Sequence, residues 1–137
     1  MKSKVNVAWK QEMSFEADVD DHKIILDAAE KVGGRNRGPR PKPLLLVSLG
    51  GCTGMDVISI LRKMRVEPEH FSIQIEGDQT EEHPVHYHTI TIKYIFRGKD
   101  LPKDKLEKAV RLSQEKYCGV SAMLGKAATL KHEIVIE

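Results

Sequence analysis

Residues 43 to 65 constrain this chain more than any other stretch: Pro-Leu-Leu-Leu-Val-Ser-Leu-Gly-Gly-Cys-Thr-Gly-Met-Asp-Val-Ile-Ser-Ile-Leu-Arg-Lys-Met-Arg. Pro43 suits a first helical turn, where a missing N–H costs nothing. Leu44, Leu45, Leu46, Val47 and Leu49 then cover almost the whole surface of a helix, a pattern that predicts burial on all sides. After Met55 the pattern narrows to one stripe of Val57, Ile58, Ile60, Leu61 and Met64. Arg62, Lys63 and Arg65 occupy the last turn, where cations favour the carbonyl end. Between the halves lies Gly50-Gly51-Cys52-Thr53-Gly54. Each glycine weakens a helix by roughly 1 kcal/mol relative to alanine, a cost accepted where something must approach the backbone closely. The uncharged part, Pro43 to Met55, is shorter than the roughly 20 residues of a membrane span, so no membrane association is expected.

Around this helix the chain reads as strands. Val5, Val7 and Trp9 alternate with polar residues, Lys10-Gln11-Glu12 offers a turn, and Phe15, Ala17 and Val19 alternate again, which predicts a hairpin. Asp20-Asp21 is a second turn before a short strand over 23–27. Residues 28 to 43 are rich in glycine, proline and arginine and form a loop. This loop leads directly into the helix, and loops on rigid scaffolds often carry function; a solvated basic linker is the plain alternative. Beyond the helix, Phe71, Ile73 and Ile75 mark a strand. His86, His88, Ile90, Ile92, Tyr94 and Phe96 share one parity of a long strand that pairs with it. Pro102 opens a helix with an apolar face of Leu106, Ala109, Val110, Ser113 and Tyr117, interrupted at Cys118-Gly119. A second short helix over 120–128 and a strand holding Ile134 and Ile136 close the chain. The order predicts an α+β fold, with helices packed on antiparallel sheet, as one domain spanning 1–137.

The 137 residues carry a net charge of only +2, with both signs interspersed, so no nucleic-acid footprint stands out. The N-terminus has no signal-type apolar run, and a cytoplasmic protein is expected. There is no phosphate-binding glycine loop, no dinucleotide fingerprint, no C-x-x-C and no G-x-S-x-G, and no cofactor is expected. His83, His86 and His88 cluster without completing a three- or four-ligand set, so no metal is expected either.

The two cysteines are the candidates for chemistry. In a cytosolic setting they are reactive, redox-active or simply buried rather than a structural bridge. Cys118 lies at the start of a helix, where dipole and free N–H groups favour a thiolate. Cys52 lies deeper, where an apolar setting raises a thiol's pKa. Its activation calls for a cation, and Arg35, Arg37 and Arg40 are the nearest in sequence. Asp56, four residues after Cys52, shares its helix face and can accept a hydrogen bond from a substrate, an arginine or a neighbouring donor.

Two segments resemble the OsmC/Ohr family of thiol-dependent peroxidases: Pro43 to Leu61, centred on Gly-Gly-Cys52-Thr-Gly-Met-Asp, and Tyr117-Cys118-Gly-Val-Ser-Ala-Met-Leu124. The order of elements extends the likeness to nearly the full chain, and the wording around Cys52 is most similar to the OsmC-like branch. The resemblance implies an intertwined homodimer with sheets outside and cysteine-bearing helices at the centre. It implies that Cys52 attacks an organic hydroperoxide and becomes a sulfenic acid, that Cys118 resolves it to a disulfide, and that a dithiol, of lipoyl type in the better-known branch, reduces the bridge. This agrees with general thiol chemistry.

The chain departs from the family at two positions. The glutamate that precedes the central helix in well-studied members falls here on Lys42 or Pro43. The hairpin arginine falls near Lys10 or Gln11, and the hairpin has none. A binding or redox-sensing module without efficient turnover is therefore the second expectation. A dimer with inert buried cysteines is the third. Whether the two cysteines meet within a chain or between chains stays open.

Overall fold

The computed structural model describes residues 1–137, which divide into two units, Met1–Leu45 and Leu46–Glu137. The first unit is an antiparallel sheet of three strands in the order β1 (Asn6–Gln11), β2 (Ser14–Val19) and β3 (His22–Leu26). Its turns fall at Glu12-Met13 and Asp20-Asp21. Glu12, Asp20 and Asp21 all have positive φ, a conformation that acidic side chains tolerate better than branched ones. The glycine-rich segment after β3 is a loop with a single 3-10 turn at Glu30–Val32. Asp27 anchors it. Its carboxylate is buried and accepts the backbone N–H groups of Ala28 at 2.7 Å and of Arg35 and Arg37 at 3.1 Å each. Those three bonds outweigh the cost of burial and hold the Asp27 carboxyl below its ordinary pKa.

The central helix, α1 (Leu44–Lys63), starts one residue after Pro43 and runs unbroken through the three glycines. Two of them sit where the next strand presses in. A Cβ on Gly50 would lie 3.1 Å from Ile75 Cδ1, and one on Gly54 would lie 3.1 Å from Ile73 Cδ1. The expected all-round burial of the front half is not found. Leu49, Thr53, Val57 and Leu61 form one buried stripe at four-residue spacing, whereas Leu45, Val47 and Met55 are 47%, 65% and 77% exposed. Within the second unit the helix packs on one sheet and buries one face. By length and composition alone it could cross a bilayer, so the shortness of the uncharged stretch does not settle that question. The buried stripe is what a core helix shows.

The second sheet has the order β4 (His70–Gln79), β5 (Tyr87–Arg97) and β6 (Thr129–Ile136). β4 and β5 are antiparallel, as their alternation predicts, but β5 and β6 are parallel. The chain reaches β6 by the crossover that parallel strands require, through α2 (Lys103–Leu112) and α3 (Gly119–Ala127). Ile90, Ile92, Tyr94 and Phe96 of β5 are fully buried and pack with Leu49, Val57, Leu61, Leu106 and Val110 in one core. The parity expected of His88 with Ile90 and Ile92 fails. Asp78 pairs with Thr89 but Gln79 pairs with Tyr87. The extra residue is His88, which this bulge turns outward, while Tyr87 takes the buried side.

Candidate active site

α1 carries Cys52 and Asp56 one turn apart, and Cys118 is the residue immediately before α3. The two sulfurs and a carboxylate oxygen of Asp56 all lie within 4.8 Å of one another. Both cysteines are free thiols; Cys118 is buried and Cys52 half-buried. Cys118 caps the helix: its backbone is extended, and its Sγ accepts the Ser121 N–H at 3.3 Å. The chain arrives there through a π-helical turn, Ser113–Tyr117, closed by the Cys118 N–H donating to the Ser113 carbonyl at 2.8 Å. Such wide turns recur at functional sites. This one keeps Ser113 fully buried but swings Tyr117, expected on the buried face, out to 53% exposure.

A chain of hydroxyl groups runs from the sheet to Asp56. The Ser113 hydroxyl donates to Asp56 Oδ2 at 2.9 Å. Thr53 Oγ1 lies 2.7 Å from Ser113 Oγ and 2.7 Å from the Tyr94 hydroxyl, and the Gln114 amide donates to both Thr53 and Tyr94. A hydroxyl has one proton, and an ionised carboxylate only accepts. The Ser113 proton is committed to Asp56, so Thr53 donates to Ser113 and Tyr94 donates to Thr53. Every member from Gln114 to Asp56 is therefore oriented toward the carboxylate. Thr53, Ser113, Tyr94 and Gln114 escaped the reading of the sequence. The available signal was a threonine and a serine at core-facing positions of two helices, where an apolar residue is the default.

Burial pushes the Cys52 thiol above its ordinary pKa. The Val120 N–H pulls the other way, and Cys118 and the Asp56 carboxylate raise it further. Burial likewise raises Tyr94, against its hydrogen bonds with Thr53 and Gln114. Near Cys118, Ser121 Oγ is buried and has no hydrogen-bond partner.

The three arginines named as thiolate stabilisers belong to the first unit. Arg35 Nε and Arg37 Nη2 reach Glu12 at 2.7 and 3.3 Å. Arg40 Nη1 donates to Asn36 Oδ1 at 2.8 Å and to the Gly38 carbonyl at 2.9 Å. Hydrogen bonds from Arg35 above all hold Glu12 below its ordinary pKa. The acidic partner for the loop arginines thus comes from the hairpin turn. In the second unit a groove of about 1090 Å³ opens between α1 and β4, lined by Val47, Gly51, Gly54, Met55, Ile58 and Ile73 among others. Cys52 is on a different face of α1.

Comparison with known proteins agrees with this architecture. Residues 33–133 match the family described as OsmC-like protein. The chain is 32% identical to Protein YhfA of Escherichia coli K12 over 127 residues, 92% of each chain. A structure of a hypothetical protein from Aquifex aeolicus superposes with a TM-score of 0.88 at 36% identity, covering 100% of this chain and 97% of that one. The organic hydroperoxide resistance protein OhrB of Bacillus subtilis shares the fold at a TM-score of 0.63 and 15% identity, covering 100% of this chain and 98% of its own. The match crosses both units and includes both cysteines, and this chain belongs to the OsmC-like protein family.

Proposed function

We propose that this protein is a cytoplasmic, homodimeric, dithiol-dependent hydroperoxide reductase, its 137 residues working as one OsmC-like domain. The observation that carries this reading is the convergence of the two sulfurs and the Asp56 carboxylate within 4.8 Å. The Cys52 thiolate attacks the distal oxygen of an organic hydroperoxide; the O–O bond breaks, an alcohol leaves, and Cys52 becomes a sulfenic acid. The Cys118 thiol displaces the hydroxyl as water and forms the disulfide. An external dithiol, of lipoyl type, then reduces the bridge by two exchange steps and leaves as its own disulfide. The oriented hydroxyl chain behind Asp56 holds its carboxylate beside the two sulfurs. The hydroperoxide specificity is carried over from the organic hydroperoxide resistance protein OhrB of Bacillus subtilis, which shares the fold.

The raised pKa of Cys52 favours a second reading, a redox-sensing or ligand-binding module that reacts without efficient turnover. One experiment separates the two. Intact mass and free-thiol count are taken before and after a small excess of an organic hydroperoxide, and consumption is then followed with excess dihydrolipoamide. Loss of both thiols and of two hydrogens at monomer mass, followed by sustained consumption, supports the reductase. Disulfide formation without sustained consumption supports the sensor. Two unreacted thiols exclude both.

A further inference from the structure

We propose that the reduced Cys52–Asp56–Cys118 cluster is a binding site for a thiophilic divalent cation of the zinc type, with three protein ligands and an open fourth position. The three ligand atoms lie within 4.8 Å of one another. Around a tetrahedral zinc, sulfur at about 2.3 Å and oxygen at about 2.0–2.2 Å stand roughly 3.5–3.8 Å apart. Closing the set from 4.8 Å takes shifts of about an ångström in the ligand atoms. Cys52 and Asp56 are one helical turn apart on a single face of α1, the spacing at which a helix presents two ligands to one ion. Cys118 supplies the third from a separate element, the cap of α3.

The surroundings fit a bound ion as well as the ligands do. The Ser113 hydroxyl donates to Asp56 Oδ2 at 2.9 Å, leaving the other carboxylate oxygen for a metal; such outer bonds orient metal ligands. The Ser121 N–H reaches the Cys118 sulfur at 3.3 Å, and the Val120 N–H bonds Cys52. Two thiolates and a carboxylate around a dication leave one negative charge, placed at the positive end of α3. Paired thiolates select zinc-like ions over magnesium or calcium, which demand oxygen ligands. Binding releases the two thiol protons and changes no oxidation state. The sequence offered metal ligands only as His83, His86 and His88. The fold assembles a different set from residues far apart in the chain.

The inference needs only the reduced thiols and stands whether or not the protein turns over hydroperoxide. Phosphine-reduced protein, stripped with chelator, is titrated with Co²⁺ and then with Zn²⁺. One Co²⁺ per chain, with a thiolate-to-cobalt charge-transfer band that Zn²⁺ abolishes, is the expected result. Disulfide-oxidised wild-type protein should stay colourless, a comparison that needs no variant. Cys52→Ser and Cys118→Ser should lose the band, and Ser113→Ala should weaken Zn²⁺ binding about tenfold or more, with circular dichroism checking the fold. No band in reduced wild-type protein, or Zn²⁺ binding unchanged in Cys52→Ser, overturns the site. A chain that reduces hydroperoxide but leaves cobalt colourless refutes this inference alone. One that binds cobalt and ignores hydroperoxide refutes the reductase alone.

Discussion

The Ser113 hydroxyl donates to Asp56 Oδ2 at 2.9 Å, and it does so from the same wide turn that closes on Cys118. One backbone irregularity thus fixes both the carboxylate beside the sulfurs and the second sulfur. Ser113→Ala should have two effects. The Thr53 hydroxyl loses its acceptor, which lowers stability by about 1–3 kcal/mol, the cost of a buried unsatisfied group. The released carboxylate turns away from Cys52, so the pH profile of single-turnover oxidation moves to lower pH. Urea unfolding and stopped-flow oxidation measure these separately. A loss of stability with an unmoved pH profile would make Ser113 a packing residue only.

Cys52 provides the second prediction. Burial, Cys118 and Asp56 place its pKa above the ordinary value of 9.0. In a Cys118→Ser background, alkylation of Cys52 should still be rising with pH beyond 9.0. Asp56→Asn removes one of the raising charges and should speed alkylation at pH 7 a few-fold. The linkage sign follows: a raised folded pKa contributes stability that is fully present below the unfolded value and is lost as pH rises through the folded one. The protein should therefore weaken at alkaline pH, and less so in Cys52→Ala. Equal alkaline weakening in the two proteins would remove Cys52 from the account.

The sequence made the cysteines and the elements around them legible because both signals are local. Alternation marks strands, and the wording around Cys52 and Cys118 marks the family. Asp56 was legible from helical spacing alone. Thr53, Tyr94 and Ser113 were not, because each hydrogen bond joins elements separated by long stretches of chain, and a single polar residue in an apolar stripe does not name its partner. The parallel pairing of β6 was hidden for a similar reason: strand direction is set by the crossover, not by the strand. Exposure was the largest gap. Val7 and Trp9 read as the covered face of a half-buried strand and Val47 as part of a helix buried all round, yet all three are more than half exposed. Periodicity says which face is apolar and says nothing of what covers it.

The exposed apolar face of α1 leads to the third prediction. Val47 and Met55 are 65% and 77% exposed along the groove beside β4, and this face is where the homodimer proposed above should pack. Met55→Glu should then favour the monomer, because burying a carboxylate there costs more than about 2 kcal/mol. The inward stripe from Leu49 to Leu61 is untouched, so circular dichroism should not change. Sedimentation velocity of both proteins over a dilution series decides it. A wild-type chain that sediments as a monomer at micromolar concentration removes the dimer.

The last prediction concerns the first unit in acid. Glu12 is held below its ordinary 4.5, first by its hydrogen bond from Arg35. Asp27 is held below 3.8 by three backbone N–H bonds that outweigh its burial. Both are lowered carboxylates, so their stabilisation is present above those values and is lost as pH falls through the folded ones. The loop after β3 should loosen in acid, and the single tryptophan reports it: Trp9 Nε1 donates to the Glu12 carbonyl at 2.8 Å. The two carboxylates differ in salt response. Arg35 is 63% exposed at its pair with Glu12, and exposed pairs are screened over about 10 Å at 0.1 M salt, whereas Asp27 is buried among backbone donors. Glu12→Gln should remove the salt-sensitive part of the Trp9 fluorescence transition and leave the salt-insensitive part. Asp27→Asn can keep an oxygen for the Arg35 and Arg37 N–H groups but sets its NH2 against the Ala28 N–H, and should loosen the loop even at pH 7. An acid transition identical in wild type and Glu12→Gln, at low and high salt, would assign the whole effect to Asp27.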